Sequence, residues 1–199
     1  MTRRAELVDA AIVAIRERGA AVGMDEVAAR AGTSKTVLYR HFADRADLYV
    51  AVCERVADAL VAEIRTATAS ADGPRAATAA AIDAFLRLIE SDREVYRFVA
   101  HRPLLDRGVG TDRSGNLCSR IGDRMAAVLA EHLPRGGRAG AAAHPWGHGA
   151  VGLVQAAADN WLARPDGMSR EALTAHLTDL SWSGLSGVVR AATPRDGGS

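Results

Sequence analysis

The chain has 199 residues, of which 48% are hydrophobic and 25% charged, and its formal net charge at pH 7 is +1. This length can supply one good core or two small ones, and the near-zero net charge means that any DNA-binding charge must be local. Cys53 and Cys118 are too few for a disulfide framework, and the longest apolar run is too short to span a bilayer, so we expect a soluble cytoplasmic protein without membrane contact.

Helical patterns dominate the N-terminal half. The first predicted helix ends at Gly19 and carries an apolar stripe formed by Leu7, Val8, Ala11, Ile12 and Ile15. Asp44, with Asp47 three residues later, predicts the start of a longer helix that ends near residue 70. Gly73 and Pro74 separate this helix from the next one. The capping-box sequence 91–94 then predicts a further helix that Pro103 ends.

The C-terminal half shows the same character. A loop is predicted at 106–114, a helix at about 116–133, and a flexible connection at 134–140. Pro145 suits the first position of a helix that continues to about residue 163, and Ser169 can cap a final long helix. Strand signals are nearly absent. We therefore predict an all-α fold of about nine helices.

Residues 22–48 carry the most informative pattern, which is two short helices joined by a tight turn. Gly32 can take the left-handed backbone that ends the first of them, and Ser34 can cap the second. The second helix is expected to bury Val37, Leu38 and Phe42. From residue 30 to residue 45 there are four basic residues against one acid, a local charge of +3. This arrangement is typical of a DNA-reading helix-turn-helix, whose outward residues would be Lys35, Thr36, Tyr39, Arg40 and His41.

This window resembles the TetR (tetracycline repressor)/AcrR-type family of bacterial transcriptional regulators. The resemblance rests on Asp25-Glu26-Val27-Ala28, Ala31-Gly32, Ser34-Lys35, Leu38-Tyr39-Arg40-His41-Phe42 and Leu48. It departs from the family at Gly23, where a better capping residue is usual, and at Arg45, where lysine is common. The resemblance implies a three-helix DNA-binding domain at 1–48, a helical ligand-binding and dimerisation domain at 49–192, and a disordered tail at 193–199.

The same resemblance, together with side-chain chemistry, divides the DNA contacts into two groups. Lys35, Thr36 and Arg40 are expected to reach base edges of a double-stranded operator, since arginine to guanine is the commonest specific contact. Phosphates are expected at the capped helix start of Ser34 and at Tyr39, His41 and Arg45. For Tyr39 a half-buried core position is the alternative. Arg3 and Arg4 either touch an adjacent groove or lie in solvent.

A weaker resemblance covers the C-terminal half, where Tyr96-Arg97, Gly152-Leu153, Trp161-Leu162 and Trp182-Ser183-Gly184-Leu185 are similar to actinobacterial family members that sense long-chain acyl-coenzyme A. This resemblance implies that the protein binds a small-molecule effector. It also implies that the protein is a repressor, which the effector releases from its operator. Apolar residues at helical spacing are more often plain core than ligand contacts. The candidates for the effector pocket are Phe85, Ile89, Tyr96, Val99, Ile121, Met125, Val154 and Trp161.

The last two predicted helices also show seams at spacings of three and four, which suit helix-on-helix packing in a homodimer. The alternative is that the seams face the chain's own core. Dimerisation is favoured because a helix-turn-helix protein commonly needs two copies to span two half-sites. The predicted interface residues are Val151, Leu173, Leu177, Leu180, Gly184 and Gly187.

Other chemistry is weakly supported. His144 and His148 lie four residues apart, but no nearby cysteine or glutamate completes a ligand set, so His144 is assigned as a cap and His148 as an interface residue. We expect no metal and no cofactor. The sequence lacks phosphate-loop and nucleophile motifs, so we expect no enzyme. Two alternatives stay open: a ligand-independent DNA-binding protein and, with less support, a helical small-molecule enzyme.

Overall fold

The computed structural model describes residues 2–101, 117–132, 140–164 and 167–192, and within these ranges it contains helices and no strand. The all-α prediction is therefore confirmed. Within the described residues the helices are, in chain order, α1 (Arg3–Arg18), α2 (Met24–Arg30), α3 (Lys35–His41), α4 (Arg45–Ala69), α5 (Pro74–Ser91), α6 (Arg93–His101), α7 (Leu117–His132), α8 (Ala143–Ala163) and α9 (Arg170–Ala192).

The chain divides into two compact units. The first comprises Met1–Val61 and Leu88–Ile121, so it holds α1 to α3 together with most of α4 and with α6. The second comprises Ala62–Arg87 and Gly122–Ser199. The predicted DNA-binding helices thus share a unit with a helix that lies some fifty positions further along the chain.

The predicted signals at helix ends are largely confirmed. Gly19 ends α1 with a φ of +88°, a conformation that glycine adopts without steric cost. The Asp44 side chain accepts a hydrogen bond of 2.8 Å from the amide of Asp47 at the start of α4. Ser169 likewise accepts from the amide of Ala172 at the start of α9, at 3.2 Å. These polar side chains satisfy amides that the helix itself cannot pair.

Three local predictions need correction. Val37 is half-buried, because it lies at the edge of the core that Leu38 occupies fully. Ser91 does not open α6: it is the last residue of α5, and its hydroxyl donates to the carbonyl of Leu88. Pro145 is the third residue of α8 rather than the first, a position whose amide also lacks a helical partner. The loop 106–114, most of the connection 134–140 and the tail 193–199 lie outside the described residues.

Two side-chain arrangements stabilise the second unit. Asp83 on α5 accepts a hydrogen bond from Arg170 at the start of α9, at 2.8 Å. The Trp161 indole donates to the carbonyl of Met168 at 2.8 Å, which closes the turn between α8 and α9. Arg170 at the start of α9 is thereby tied to α5, and the end of α8 is tied to the residue that precedes Ser169.

Candidate nucleic-acid interface

The turn between α2 and α3 has the left-handed Gly32 and the Ser34 cap that the sequence predicts, and backbone hydrogen bonds close it. Gly32 has a φ of +61°. Its amide donates to the carbonyl of Ala29 at 3.1 Å, and the amide of Thr33 donates to Ala28 at 2.9 Å. This is the Schellman pattern, which ends a helix through one left-handed residue. Ser34 then caps α3 by accepting from the amide of Val37 at 3.3 Å.

The two faces of α3 differ sharply in exposure. Leu38 is fully buried, and Phe42, which directly follows α3, is 1% exposed. The helix packs against α2, and the apolar residues of the two preceding helices include Leu7 and Val27, which are almost completely buried. The opposite face is exposed, as predicted, at Lys35, Thr36, Tyr39 and Arg40, whereas His41 is half-buried.

The exposure of Tyr39 separates its two interpretations. Its side chain is 44% exposed, which excludes the half-buried core position and leaves the ring and hydroxyl available on the outward face. Arg40, next to it, is also exposed and has no ion-pair partner among the described residues. A guanidinium held on an exposed helix face can meet the two acceptors of a guanine edge.

Lys35 has a partner that the sequence gave no reason to expect. Its Nζ lies 2.8 Å from Oδ2 of Asp25, at the start of α2. This hydrogen bond and the charge of Asp25 raise the pKa of Lys35, so the ammonium group stays charged. Asp25 and Lys35 are ten residues apart and lie on different helices, so helical periodicity in the sequence does not indicate that they are in contact. Any DNA contact by Lys35 would have to break or share this ion pair.

Arg45 and Arg4 are also tied to the protein. Arg45, half-buried at the start of α4, donates from Nη2 to the carbonyl of Val22 at 3.1 Å. Arg4 lies 2.9 Å from Asp47 and stacks 4.7 Å from the ring centroid of Phe42. Arg4 is thus neither free in solvent nor without a structural role. Both arginines therefore make contacts that stabilise the helix-turn-helix.

Polar contacts at the C-terminal end of α1 join it to the start of α6. Arg16 pairs with Asp92, whose side chain is only 10% exposed, just before α6 begins. At the end of α1, the amide of Ala20 donates to Glu94 at 3.3 Å. Glu94 therefore does not complete the predicted capping box but contacts the turn that follows α1. Sequence reasoning missed both acids, because they read equally well as local helix caps.

A second set of contacts links α4 to α6. The Tyr49 hydroxyl donates to the carbonyl of Val99 at 3.0 Å, and its ring lies 5.4 Å from that of Phe98. Both helices belong to the first unit. A shift of α6 would therefore change the contacts of α1 with Asp92 and Glu94, and the contact of α4 that Tyr49 makes.

The predicted effector residues fall into both units. Ile89, Tyr96, Val99 and Ile121 belong to the first unit, and all are buried. In the second unit Phe85 and Val154 are buried, whereas Met125 and Trp161 are half-buried. Trp161 has a structural hydrogen bond to Met168, so part of its role is explained without a ligand. The pocket itself stays a prediction.

An enclosed space within the DNA-binding half is too small to be that pocket. It measures about 10 Å³ and is lined mainly by apolar side chains, among them Ile15, Met24 and Phe98. Small-molecule sites usually occupy several hundred cubic ångströms. This cavity can therefore hold at most a water molecule.

The predicted dimer residues separate into two groups. Val151, Leu173 and Leu177 are buried within the single chain, which leaves them little surface to offer a partner. Leu180 is 59% exposed, and Gly184 is exposed with open space where a Cβ would lie. The side chain of Gly187 lies outside the described residues. On α9, the row of residues spaced three and four apart therefore runs from the core to the surface. Only its exposed part, from Leu180 onward, has surface available for an interface.

The two histidines of α8 also differ from expectation. The helix starts after Ala142 without a side-chain cap, so His144 is not a cap. Asp123, on α7, lies within reach of both imidazoles and supplies the third candidate ligand that the sequence did not indicate. No sequence spacing could have shown this, because residue 123 lies on another helix.

A capped α3 that shows polar and basic side chains outward over a buried apolar face defines a helix-turn-helix DNA-binding protein. Residues 7–52 match the model of the bacterial regulatory proteins of the tetR family, and residues 63–196 match that of the tetracyclin repressor-like C-terminal domain. The chain belongs to the tetR family. It is a transcriptional regulator of that type, and not an enzyme.

Similar proteins agree with this assignment. An HTH-type transcriptional regulator of Mycobacterium tuberculosis, itself uncharacterized, is 36% identical over 190 residues, which cover 95% of this chain and 80% of the relative. The transcriptional activator FasR of Mycolicibacterium smegmatis is 32% identical over 94% of this chain and 84% of its own. The structure of FadR from Bacillus subtilis in complex with stearoyl-CoA superposes with a TM-score of 0.66 at 16% identity, covering 90% of this chain and 98% of FadR. No helix among the described residues is long and apolar enough to cross a membrane.

Proposed function

We propose that the protein is a dimeric repressor in the cytoplasm that binds an operator through α3 and is released by a long-chain acyl-CoA or a similar amphipathic effector. The observation that carries the DNA-binding part is the exposed polar face of α3, fixed on its buried side by Leu38 and Phe42. Because both ends of this short helix are held by defined hydrogen bonds, its backbone is already in place before DNA binds.

Base recognition is assigned to Arg40, Thr36 and Lys35, which lie on the exposed face of α3. Arg40 is ready to bind, whereas Lys35 must first leave Asp25 or share its ammonium with the DNA. Phosphate contacts are assigned to Tyr39 and His41, together with the amides at the Ser34-capped helix start and with Arg45 at the start of α4.

Dimerisation is assigned to one face of the last two helices. Gly149 and Gly152 on α8 are exposed, and a Cβ added to either would meet no atom of the chain within 4 Å. Gly184 on α9 is the same, and Leu180 beside it exposes most of an apolar side chain. Exposed glycine inside a helix costs about 0.5–1 kcal/mol relative to alanine, so close approach of a second helix is a reason to keep it. Two copies would place two α3 helices on one operator.

The effector class is supported by resemblance. FadR of Bacillus subtilis was crystallised with stearoyl-CoA. Tyr96 and Val99 are our candidates for effector contact on α6, and both are completely buried. A ligand that favours one position of α6 would act on α1 and α4 through the contacts of Asp92, Glu94 and Tyr49. A ligand shifts DNA affinity only by as much as it discriminates between the two conformations.

The direction of the transcriptional response is a separate part of the proposal. Release from an operator relieves repression when the site overlaps a promoter, and it ends activation when the site lies upstream of one. FasR, at 32% identity, is named an activator. We propose repression, and a reporter fused to the bound promoter decides it: deletion of the regulator must raise expression, and a fall in expression contradicts repression.

The effector is tested on the full-length protein by fluorescence anisotropy, with labelled DNA taken from upstream of its own gene. We expect tight binding that weakens at least tenfold when stearoyl-CoA is added, and no change with coenzyme A alone. DNA binding that no acyl-CoA alters would overturn the effector assignment and favour the ligand-independent regulator. The absence of sequence-specific binding to any tested fragment, with the fold intact, would contradict the assignment of α3.

A further inference from the structure

Three side chains that can bind metals meet where α7 and α8 approach each other. Nε2 of His148 lies 2.9 Å from Oδ1 of Asp123, and Nε2 of His144 lies 3.5 Å from the same oxygen. The two imidazole rings stack with centroids 4.4 Å apart. One ligand atom from each residue lies within 4.8 Å of the others, and the part of the chain that the structure describes holds no other such group.

Two glycines make this meeting possible. A Cβ at Gly147 would lie 2.6 Å from the backbone nitrogen of Ala126, and a Cβ at Gly122 would lie 2.7 Å from Nδ1 of His148. Real side chains do not tolerate such distances, so the two helices touch backbone to backbone here. The close approach places Asp123 next to the first two turns of α8. All these residues belong to the second unit.

We propose that Asp123, His144 and His148 form a binding site for one divalent transition-metal ion, with zinc as the best match. Two histidines at i and i+4 on one helix face are a recurrent zinc-binding pair, and a carboxylate is a common third ligand. Borderline-soft ions prefer this mixture of imidazole and carboxylate, whereas calcium and magnesium prefer oxygen alone.

The distances from each histidine to Asp123 are close to those that zinc requires. Zinc–nitrogen and zinc–oxygen bonds of about 2.0–2.2 Å at tetrahedral angles place neighbouring ligand atoms about 3.4 Å apart. His144 and Asp123 are already 3.5 Å apart, while the contact from His148 to Asp123 must lengthen by about half an ångström. Rotation of exposed side chains is sufficient, since His144 is 73% and Asp123 59% exposed.

The site would have one open coordination position. With three protein ligands and tetrahedral geometry, the fourth position is left for water or for a further donor. The exposure of His144 and Asp123 gives metal ions direct access. Because the ligands come from two helices, a bound ion would tie the start of α8 to α7, beyond what the Asp123–His148 contact does alone. This role is independent of the proposed effector.

The test is a calorimetric titration of zinc chloride into the full-length protein, freed of any histidine tag and treated with a chelator beforehand. We expect one ion per chain. His144→Ala and Asp123→Asn should each weaken binding by more than about 100-fold, since losing even a residue that only supports a ligand costs 10–100-fold. His176→Ala, which removes an exposed histidine from α9, is the matched control and should leave zinc affinity unchanged.

Cobalt substitution provides an independent measurement. Co²⁺ bound at this site should give the intense visible absorption of four-coordinate cobalt, and Asp123→Asn should abolish it. Circular dichroism establishes that each variant is folded, and exposed His144 is the substitution least able to disturb folding. Zinc affinity and stoichiometry that are the same in the wild type, His144→Ala and Asp123→Asn would overturn the proposal. The proposal would also be overturned if the folded wild-type protein bound no zinc at about 100 μM, which is on the order of the Kd of weak surface binding.

Discussion

The helix-turn-helix and the last two helices show the same kind of sequence pattern, apolar residues at spacings of three and four, but they differ in what the pattern determines. In α1 the stripe that begins at Leu7 is buried along its whole length, and Gly32 and Ser34 fix the turn between α2 and α3 by local hydrogen bonds. In α9 the stripe starts in the core at Leu173 and reaches the surface at Leu180. Periodicity identifies an apolar face of a helix. It does not tell whether that face is buried, whereas a local capping signal also fixes where the helix begins or ends.

The largest expected effect tests whether the exposed end of the α9 seam is an interface. Leu180→Asp should convert the dimer to a monomer in analytical ultracentrifugation, because it places a charge where an apolar surface must be buried. Operator affinity should fall by about 10²–10⁴-fold, the usual gain from joining two binding sites. Val128→Asp, at another exposed apolar residue, is the control and should leave both properties unchanged. A Leu180→Asp protein that remains dimeric would place the interface elsewhere.

The next effect tests the reading face of α3. Arg40→Ala should weaken binding to the operator by about 1–3 kcal/mol, a factor of about 5 to 150, because it removes a bidentate base contact. Binding to unrelated DNA should change much less, so the specificity ratio falls. Competition anisotropy with operator and random DNA measures both quantities. Arg65→Ala, an exposed arginine of α4 outside the helix-turn-helix, should have no effect on either.

Arg45 provides the contrast within the same region. Arg45→Ala should weaken binding to every sequence alike and reduce the slope of log affinity against log salt by about one, since one phosphate contact is lost. It also removes the hydrogen bond to Val22, so the thermal unfolding midpoint should fall slightly. Equal loss of discrimination from Arg40→Ala and Arg45→Ala would contradict the division into base and phosphate contacts.

The smallest effect concerns the pair between Lys35 and Asp25. Asp25→Asn should strengthen DNA binding by about two- to fivefold at low salt, because the exposed ion pair no longer holds the lysine. The pKa of Lys35 should return toward its ordinary value, since the hydrogen bond and charge of Asp25 raise it. Weaker DNA binding in Asp25→Asn would show that Asp25 positions Lys35 for DNA and does not compete with it.

The extent of sequence-based prediction differs between the two regions for a physical reason. Caps, turns and buried stripes depend on residues close in sequence, and so Gly19, Gly32, Ser34 and Asp44 were interpreted correctly. Contacts between distant side chains leave no periodic trace. The partners of Lys35, Arg45 and His148 could therefore not be predicted, and each of them changes the role of the residue it contacts.

The same reason explains the errors in chain segments that were read locally. Ser91 and Glu94 have the spacing of a capping box, but Glu94 instead accepts from the amide of Ala20. Asp92, which lies between them in the sequence, forms an ion pair with Arg16. A capping sequence and a tertiary contact use the same residue types, and sequence spacing alone cannot distinguish them. The connection of the DNA-binding helices to α6 was missed for this reason.

The most direct test of the central proposal, that an effector and the operator bind the same protein at each other's expense, is a measurement of linkage. The affinity for stearoyl-CoA is determined by calorimetry with and without saturating operator, and the operator affinity is determined with and without saturating stearoyl-CoA. Thermodynamic reciprocity requires the same factor in both directions, and we predict a weakening of at least about tenfold. Equal affinity for stearoyl-CoA in the free and the operator-bound protein would contradict the account.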